Sequence, residues 1–204
     1  HTTAIDMGDY YLLKSGYLKF EDYIDLLQKQ IQREFDSFGW RNQSIVESSF
    51  DLWLDGYKPG IPDKKVSIYN RGALISLCLD LMLKSSGSSL SELMKEMWEK
   101  FGKTRVGYNL GDFENLIRSL SKEGEKITSF FQSFVFGKDD LLPLLKELLT
   151  RIGIEIIENF EGDDLLHYWG IRKDESGIIT QLHPDSGAYA ILMKNDKVLE
   201  YGPD

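Results

Sequence analysis

Histidines, the residues most often found at metal and acid–base centres, number three in this chain: His1, His167 and His183. No two lie four apart, the spacing that lets a pair on one helix face reach a single metal. They read as surface or turn residues. Cys78, the single cysteine, sits in the most apolar stretch with no histidine beside it, and reads as a packed thiol. One cysteine also excludes a disulfide framework and a cysteine-based zinc site. The carboxylates occur in uninformative pairs. Asp139-Asp140 precedes Leu141-Leu142-Pro143, where an aspartate caps a helix, and Asp163-Asp164 falls in a solvated linker. The chain contains no P-loop, no dinucleotide-binding glycine run and no Gly-x-Ser-x-Gly elbow. One segment stands out: Val66-Ser67-Ile68-Tyr69-Asn70-Arg71-Gly72-Ala73-Leu74-Ile75. If a helix begins near Ile68, then Tyr69, Ala73, Ser76 and Asp80 share one polar stripe that would line a cleft or a solvent channel. Gly72 inside that helix costs about 1 kcal/mol against alanine, which implies a close approach there. Taken alone, a tyrosine at a helix start more often packs than reacts.

The elements that must position these residues follow from hydrophobic spacing. Tyr10 to Leu13 end a first helix that Gly16 stops. Phe20, Tyr23, Ile24, Leu27, Ile31 and Phe35 give a long amphipathic helix, with Glu21, Asp22, Lys29, Arg33 and Glu34 assigned to its other face. A helix over Ile45–Leu54 leads to a turn-rich loop, Gly56 to Asp63. Ile68 to Lys84 is apolar on most faces, as in a helix buried in a core. Ser89 and Glu92 form a capping box for a helix that runs to Gly102. Further helices cover Phe113–Leu120, Ile127–Val135 and Leu141–Ile152. Beyond Gly153, Ile154-Glu155-Ile156 alternates like a strand and Glu158–Asp164 reads as an acidic linker. Strand-like segments follow at Tyr168–Ile171, Ile178–Leu182 and Lys197–Leu199. The expected organisation is mainly α: residues 1–157 helical, and 158–204 a linker with a short β-rich tail. Leu77, Cys78, Leu81, Trp98, Phe131 and Phe134 are the expected core.

Composition narrows the function classes. Of 204 residues, 42% are apolar and 12% aromatic, enough to bury a core. No apolar run approaches the roughly 18 residues of a membrane span, which points to a soluble chain, cytoplasmic or periplasmic. Charges sum to −9 with no basic cluster, which argues against a nucleic-acid partner. The opening His1-Thr2-Thr3 lacks Met and any signal core and reads as a boundary placed inside a longer protein.

The Tyr69 segment resembles the Tyr-x-Lys/Arg-Gly-Ala motif of the glycyl aminopeptidases, a gluzincin zinc-peptidase family similar in its catalytic domain to the aminopeptidase N group. Other blocks agree in order and spacing: Glu47-Ser48-Ser49-Phe50-Asp51-Leu52-Trp53, Gly107-Tyr108 with Asp112-Phe113, Phe130-Phe131 to Phe136-Gly137, and Leu79-Asp80-Leu81. The match covers most of residues 1–155. In the tail, Tyr168-Trp169-Gly170-Ile171, Ser186-Gly187-Ala188-Tyr189 and Lys194-Asn195-Asp196-Lys197-Val198 resemble blocks of the PDZ domain that ends such proteins. Gly187 and Asn195 depart from the usual Pro and Gly, and about half of a PDZ domain is covered.

The resemblance implies the helical C-terminal part of a gluzincin catalytic domain followed by a partial PDZ-like tail. It implies zinc in the parent protein, held by a His-Glu-x-x-His helix and a glutamate upstream of His1, with none bound by this chain alone. The parent's zinc would polarise the scissile carbonyl while that motif's glutamate activates water. Tyr69 would donate its phenol hydrogen bond to the oxyanion. The implied substrates are peptides with small N-terminal residues, glycine or alanine, and Trp169, Gly170 and Ile171 would receive a peptide carboxylate. The upstream zinc-binding half is the implied partner. A homodimer of this chain through the apolar face left without that half is a further expectation, and the chain by itself is expected to be inactive. The alternative is a non-catalytic helical scaffold with a peptide-binding tail.

Overall fold

The helix that carries the Tyr69 segment is the centre of the structure. In the computed structural model, which describes residues 2–55, 63–158 and 164–199, this helix spans Ile68–Ser85 and is buried without interruption from Arg71 to Asp80. Leu74, Cys78 and Leu83 are fully enclosed, and each buried leucine contributes about 1.5–3 kcal/mol relative to exposure. The helices follow in chain order as α1 Thr2–Lys14, α2 Phe20–Phe35, α3 Ile45–Asp55, the central α4, α5 Leu90–Met97, α6 Leu110–Leu120, α7 Gly124–Phe130 and α8 Leu142–Thr150; α1, α2, α3, α5 and α8 pack on α4, while α6 packs on α5 and α7. The chain is mostly helical, as the spacing predicts, and divides into two units, His1–Glu155 and Ile156–Asp204. The expected loop at 56–63, apart from Asp63, and all but the ends of the acidic linker lie outside the described residues.

Polar side chains set the helix ends. Gly16 stops α1 with φ +77°, and its N–H reaches the Leu13 carbonyl at 3.0 Å. Ser44 and Glu47 exchange hydrogen bonds at the start of α3 (Ser44 N–H to Glu47 Oε2, 2.7 Å; Glu47 N–H to Ser44 Oγ, 3.2 Å), and Asn109 and Asp112 do the same for α6. Asp140 accepts the Leu142 N–H at 2.9 Å, as the sequence before Pro143 predicts. The expected capping box of α5 forms only in half. Ser89 accepts the Glu92 N–H, but the Glu92 carboxylate binds the Ser88 hydroxyl at 2.7 Å, while Asp80 takes the Leu90 N–H at 2.8 Å.

Two expectations about the core need correction. Trp98 is 59% exposed. It opens a widened, underwound helical turn, Trp98–Gly102, in which the Lys103 N–H reaches back five residues to the Trp98 carbonyl, and it stands one residue past the buried stripe of Leu90, Leu93 and Met97. Glu34, assigned to the solvent face of α2, is instead buried at 2% exposure. Leu77, Cys78 and Phe131 are buried as expected, whereas Leu81 and Phe134 are half-buried.

Ser48 shows how the loop before α4 is fastened. Its hydroxyl, fully buried on α3, accepts the Val66 N–H at 3.2 Å. Gly39 makes the neighbouring close approach, since a Cβ there would stand 2.2 Å from the Lys65 carbonyl oxygen. Ser48→Ala leaves a buried amide unpaired and is expected to cost about 1–3 kcal/mol in a denaturant melt; an unchanged midpoint would count against this fastening.

The second unit has its own small core of Leu165, Ile171, Ile179, Leu182 and Ala188. Strands β1 Ile171–Lys173 and β2 Ile179–Leu182 pair antiparallel, with an irregularity between Arg172 and Lys173. The strand-like readings are corrected in detail: Leu165–Trp169 is a helical turn, Lys197 makes a single bridge to Ile178, and Ile154–Ile156 forms no strand. Asp174 organises the β1–β2 turn by accepting the Ser176 hydroxyl at 2.7 Å and the Ser176 and Ile178 N–H groups at 2.9 and 3.0 Å. These bonds, the Ser176 hydroxyl foremost, hold its carboxyl below the usual aspartate range. A lowered folded value means the turn is supported above the ordinary pKa of 3.8 and loses that support as pH falls through the folded value. The protection of the Ser176 and Ile178 amides relative to their intrinsic exchange rates is therefore expected to fall in acid, and Asp174→Ala should remove that pH-dependent change in protection.

Candidate active site

Tyr69 is the second residue of α4. The helix start is fixed by Ser67, whose hydroxyl accepts the Asn70 N–H at 3.2 Å. The half-buried phenol borders a cavity of about 270 Å³, shared with Gln30, Arg33 and Glu34 of α2, and with Ser37 and Ala73.

The predicted polar stripe of α4 does not line one channel. Tyr69 and Ala73 face this cavity, whereas Ser76 lines an apolar one of about 570 Å³ with Phe50, Gly72, Ile75, Phe113 and Val135. Asp80 borders a third, of about 160 Å³, near Tyr10 and Lys84, and pairs with Lys84 at 2.6 Å. The stripe is geometrically sound, but eleven residues of helix run about 16 Å. Along that length α4 passes α2, then α3 and α6, then α1.

Three residues to which the sequence reading gave no role in the site, Glu34, Asn70 and Arg71, hold it together. Arg71, 1% exposed, donates from Nη1 to Glu34 Oε1 at 2.7 Å and from Nη2 to the Asp139 carbonyl at 2.8 Å. Its guanidinium lies 5.8 Å from the centre of the Trp40 ring. Its Nε, also buried, has no acceptor among the described residues. Asn70 donates to the Gln30 carbonyl at 3.0 Å and weakly to Glu34 Oε2 at 3.4 Å. Burial pushes the Glu34 carboxyl above its usual range, against the pull of Arg71 and Asn70. The signal was present in the sequence: Glu34 follows Leu27 by seven and Ile31 by three, which places it on the buried stripe of α2.

The acidic residues of the motif blocks do local work. Glu47 and Asp112 are helix caps, and Asp51 accepts the Gln43 amide at 2.7 Å. Backbone and hydroxyl bonds at Ser44 keep the Glu47 carboxyl below its usual range. Among the described residues, no three His, Cys, Asp or Glu side chains are grouped so as to hold a metal ion. No single helix among them is long and apolar enough to cross a membrane.

Within the second unit, Trp169, Gly170 and Ile171 are adjacent but face different surroundings. The Trp169 ring is exposed, Ile171 belongs to the small core, and Gly170 is buried with φ +66°. A Cβ at Gly170 would stand 2.6 Å from Ser186 Cβ and 2.8 Å from His183 Cβ. The Gly170 N–H donates to the Leu166 carbonyl at 3.0 Å.

Comparison with known proteins agrees with the motif blocks. Residues 5–75 match the family model of the M61 glycyl aminopeptidases. A crystal structure of an aminopeptidase N family protein from Idiomarina loihiensis is similar over 98% of this chain, with 28% identity and a TM-score of 0.75. The chain spans 37% of the length of that protein. No curated protein matches it. This chain is therefore similar to the M61 glycyl aminopeptidases over residues 5–75 and to an aminopeptidase N family structure over nearly its whole length.

Proposed function

We propose that this chain is the helical part of a zinc aminopeptidase catalytic domain with a partial PDZ-like module behind it, and that Tyr69 is its catalytic residue. The observation that carries this reading is the placement of Tyr69 at the capped start of α4, on a cavity shared with Gln30, Arg33 and Glu34, within the segment similar to the glycyl aminopeptidases. A phenol held there can donate a hydrogen bond to the oxygen that gains charge as water adds to the scissile carbonyl. The described residues do not fit a zinc ion. In this reading the metal belongs to the parent's upstream half, and this chain alone turns nothing over. Phe50, 77% exposed on α3 beside the large apolar cavity, supports seating that half on this face. In this reading Trp169, exposed where Ile171 is buried, would be the member of the 169–171 group that touches a peptide C-terminus.

Hydrolysis of Gly-, Ala-, Leu- and Phe-p-nitroanilide by the full-length protein tests the proposal. We expect glycine and alanine substrates to be preferred, the activity to vanish with a chelator, and this chain alone to be inert. Turnover by this chain, or indifference of the full-length protein to chelation, would refute it.

A further inference from the structure

The two residues that follow Tyr69 both direct their side chains to one carboxylate. Arg71 reaches Glu34 Oε1 at 2.7 Å, and Asn70 approaches Oε2 at 3.4 Å while also holding the Gln30 carbonyl at 3.0 Å. Both acceptors belong to α2, the helix that supplies the facing wall of the Tyr69 cavity. The first turn of a helix lacks intrahelical acceptors for its N–H groups and is where helices fray. Here that turn is tied to α2 by the adjacent side chains of Asn70 and Arg71, and Arg71 extends the tie to the Asp139 carbonyl at 2.8 Å. Glu34 is 2% exposed, too costly a place for a carboxylate unless its position matters.

We infer that Glu34 is a positioning residue for Tyr69, acting through Asn70 and Arg71 to fix the phenol against the wall formed by α2. This rests on the reading of Tyr69 as the oxyanion donor. Displacement of a reacting group by about 1 Å can cost 10²-fold in rate, so loosening one arm should lower kcat by roughly ten- to a hundredfold and leave KM nearly unchanged.

The test is a double-mutant cycle in the full-length protein. Asn70→Ala removes one arm without stranding Arg71, and Glu34→Gln keeps an acceptor for Arg71; if Glu34→Gln fails to fold, Glu34→Asp takes its place. Each is measured alone and in the Tyr69→Phe background. The expected result is a loss of kcat in the presence of Tyr69 that falls to less than about twofold in its absence, as required of residues that act through one hydroxyl. In protein labelled with fluorotyrosine, the resonance that disappears in Tyr69→Phe should shift in Asn70→Ala. Equal losses in both backgrounds, no loss at all, or an unshifted resonance would overturn the inference and leave the role of Tyr69 intact. If Tyr69→Phe alone leaves kcat unchanged, the reading of Tyr69 itself fails and the inference falls with it.

Discussion

Replacing Arg71 by alanine is expected to destabilise the helical unit by about 3–5 kcal/mol, the range for removing one partner of a buried ion pair. The pair is almost wholly enclosed, at 1% and 2% exposure, and spans 2.7 Å. The substitution strands Glu34 and leaves the Asp139 carbonyl without its donor. A pH series separates the stranded charge from lost packing. Burial already raises the Glu34 carboxyl above 4.5, and loss of Arg71 removes the strongest opposing influence. A carboxyl raised in the folded state penalises folding where it is ionised, and the penalty is relieved as pH falls through its folded value. The difference between variant and wild type should therefore shrink as pH is lowered from 7 toward 4.5. Asp174 and Glu47 shift the other way, lose their support only at lower pH, and cancel in the difference. Combining Arg71→Met with Glu34→Leu should recover much of the loss, because a buried pair contributes little beyond a well-packed apolar replacement. A pH-independent deficit would assign the cost to packing alone.

Much of the helical unit is legible in the residues. The apolar run of α4, the Gly16 stop and the Asp140 cap read directly, because local spacing and capping chemistry determine them. What could not be read depends on partners distant in sequence. The spacing of Glu34 places it on the buried stripe of α2, but its partner Arg71, thirty-seven positions later, is not readable beside it. Ser48 and Val66 are joined only once α3 and the loop before α4 meet. Trp98 is misplaced because the buried stripe of this helix runs through Leu90, Leu93 and Met97, and the residue after Met97 is turned about 100° away from it. The polar stripe failed for another reason: its angular position was correct, but the neighbours of α4 change along its length. In the tail the strand read over Ile178–Leu182 contains β2, whereas Tyr168 and Trp169, read as strand, close a helical turn. Gly170 reverses the chain there by adopting a left-handed conformation between Trp169 and Ile171.

The second large effect concerns Tyr69. In the full-length protein, Tyr69→Phe is expected to lower kcat by roughly 10²–10³-fold, the range for loss of one oxyanion donor. KM should change little, since the hydroxyl acts on charge that develops in the transition state rather than on the bound substrate. A tyrosine that merely packs at the start of α4 would behave otherwise, losing about 1 kcal/mol of stability with turnover intact. Measuring kcat and Tm on the same Tyr69→Phe variant separates the two: a hundredfold or greater fall in kcat with Tm nearly unchanged is the predicted result, and unchanged kcat in fully metallated enzyme would contradict a catalytic role for Tyr69.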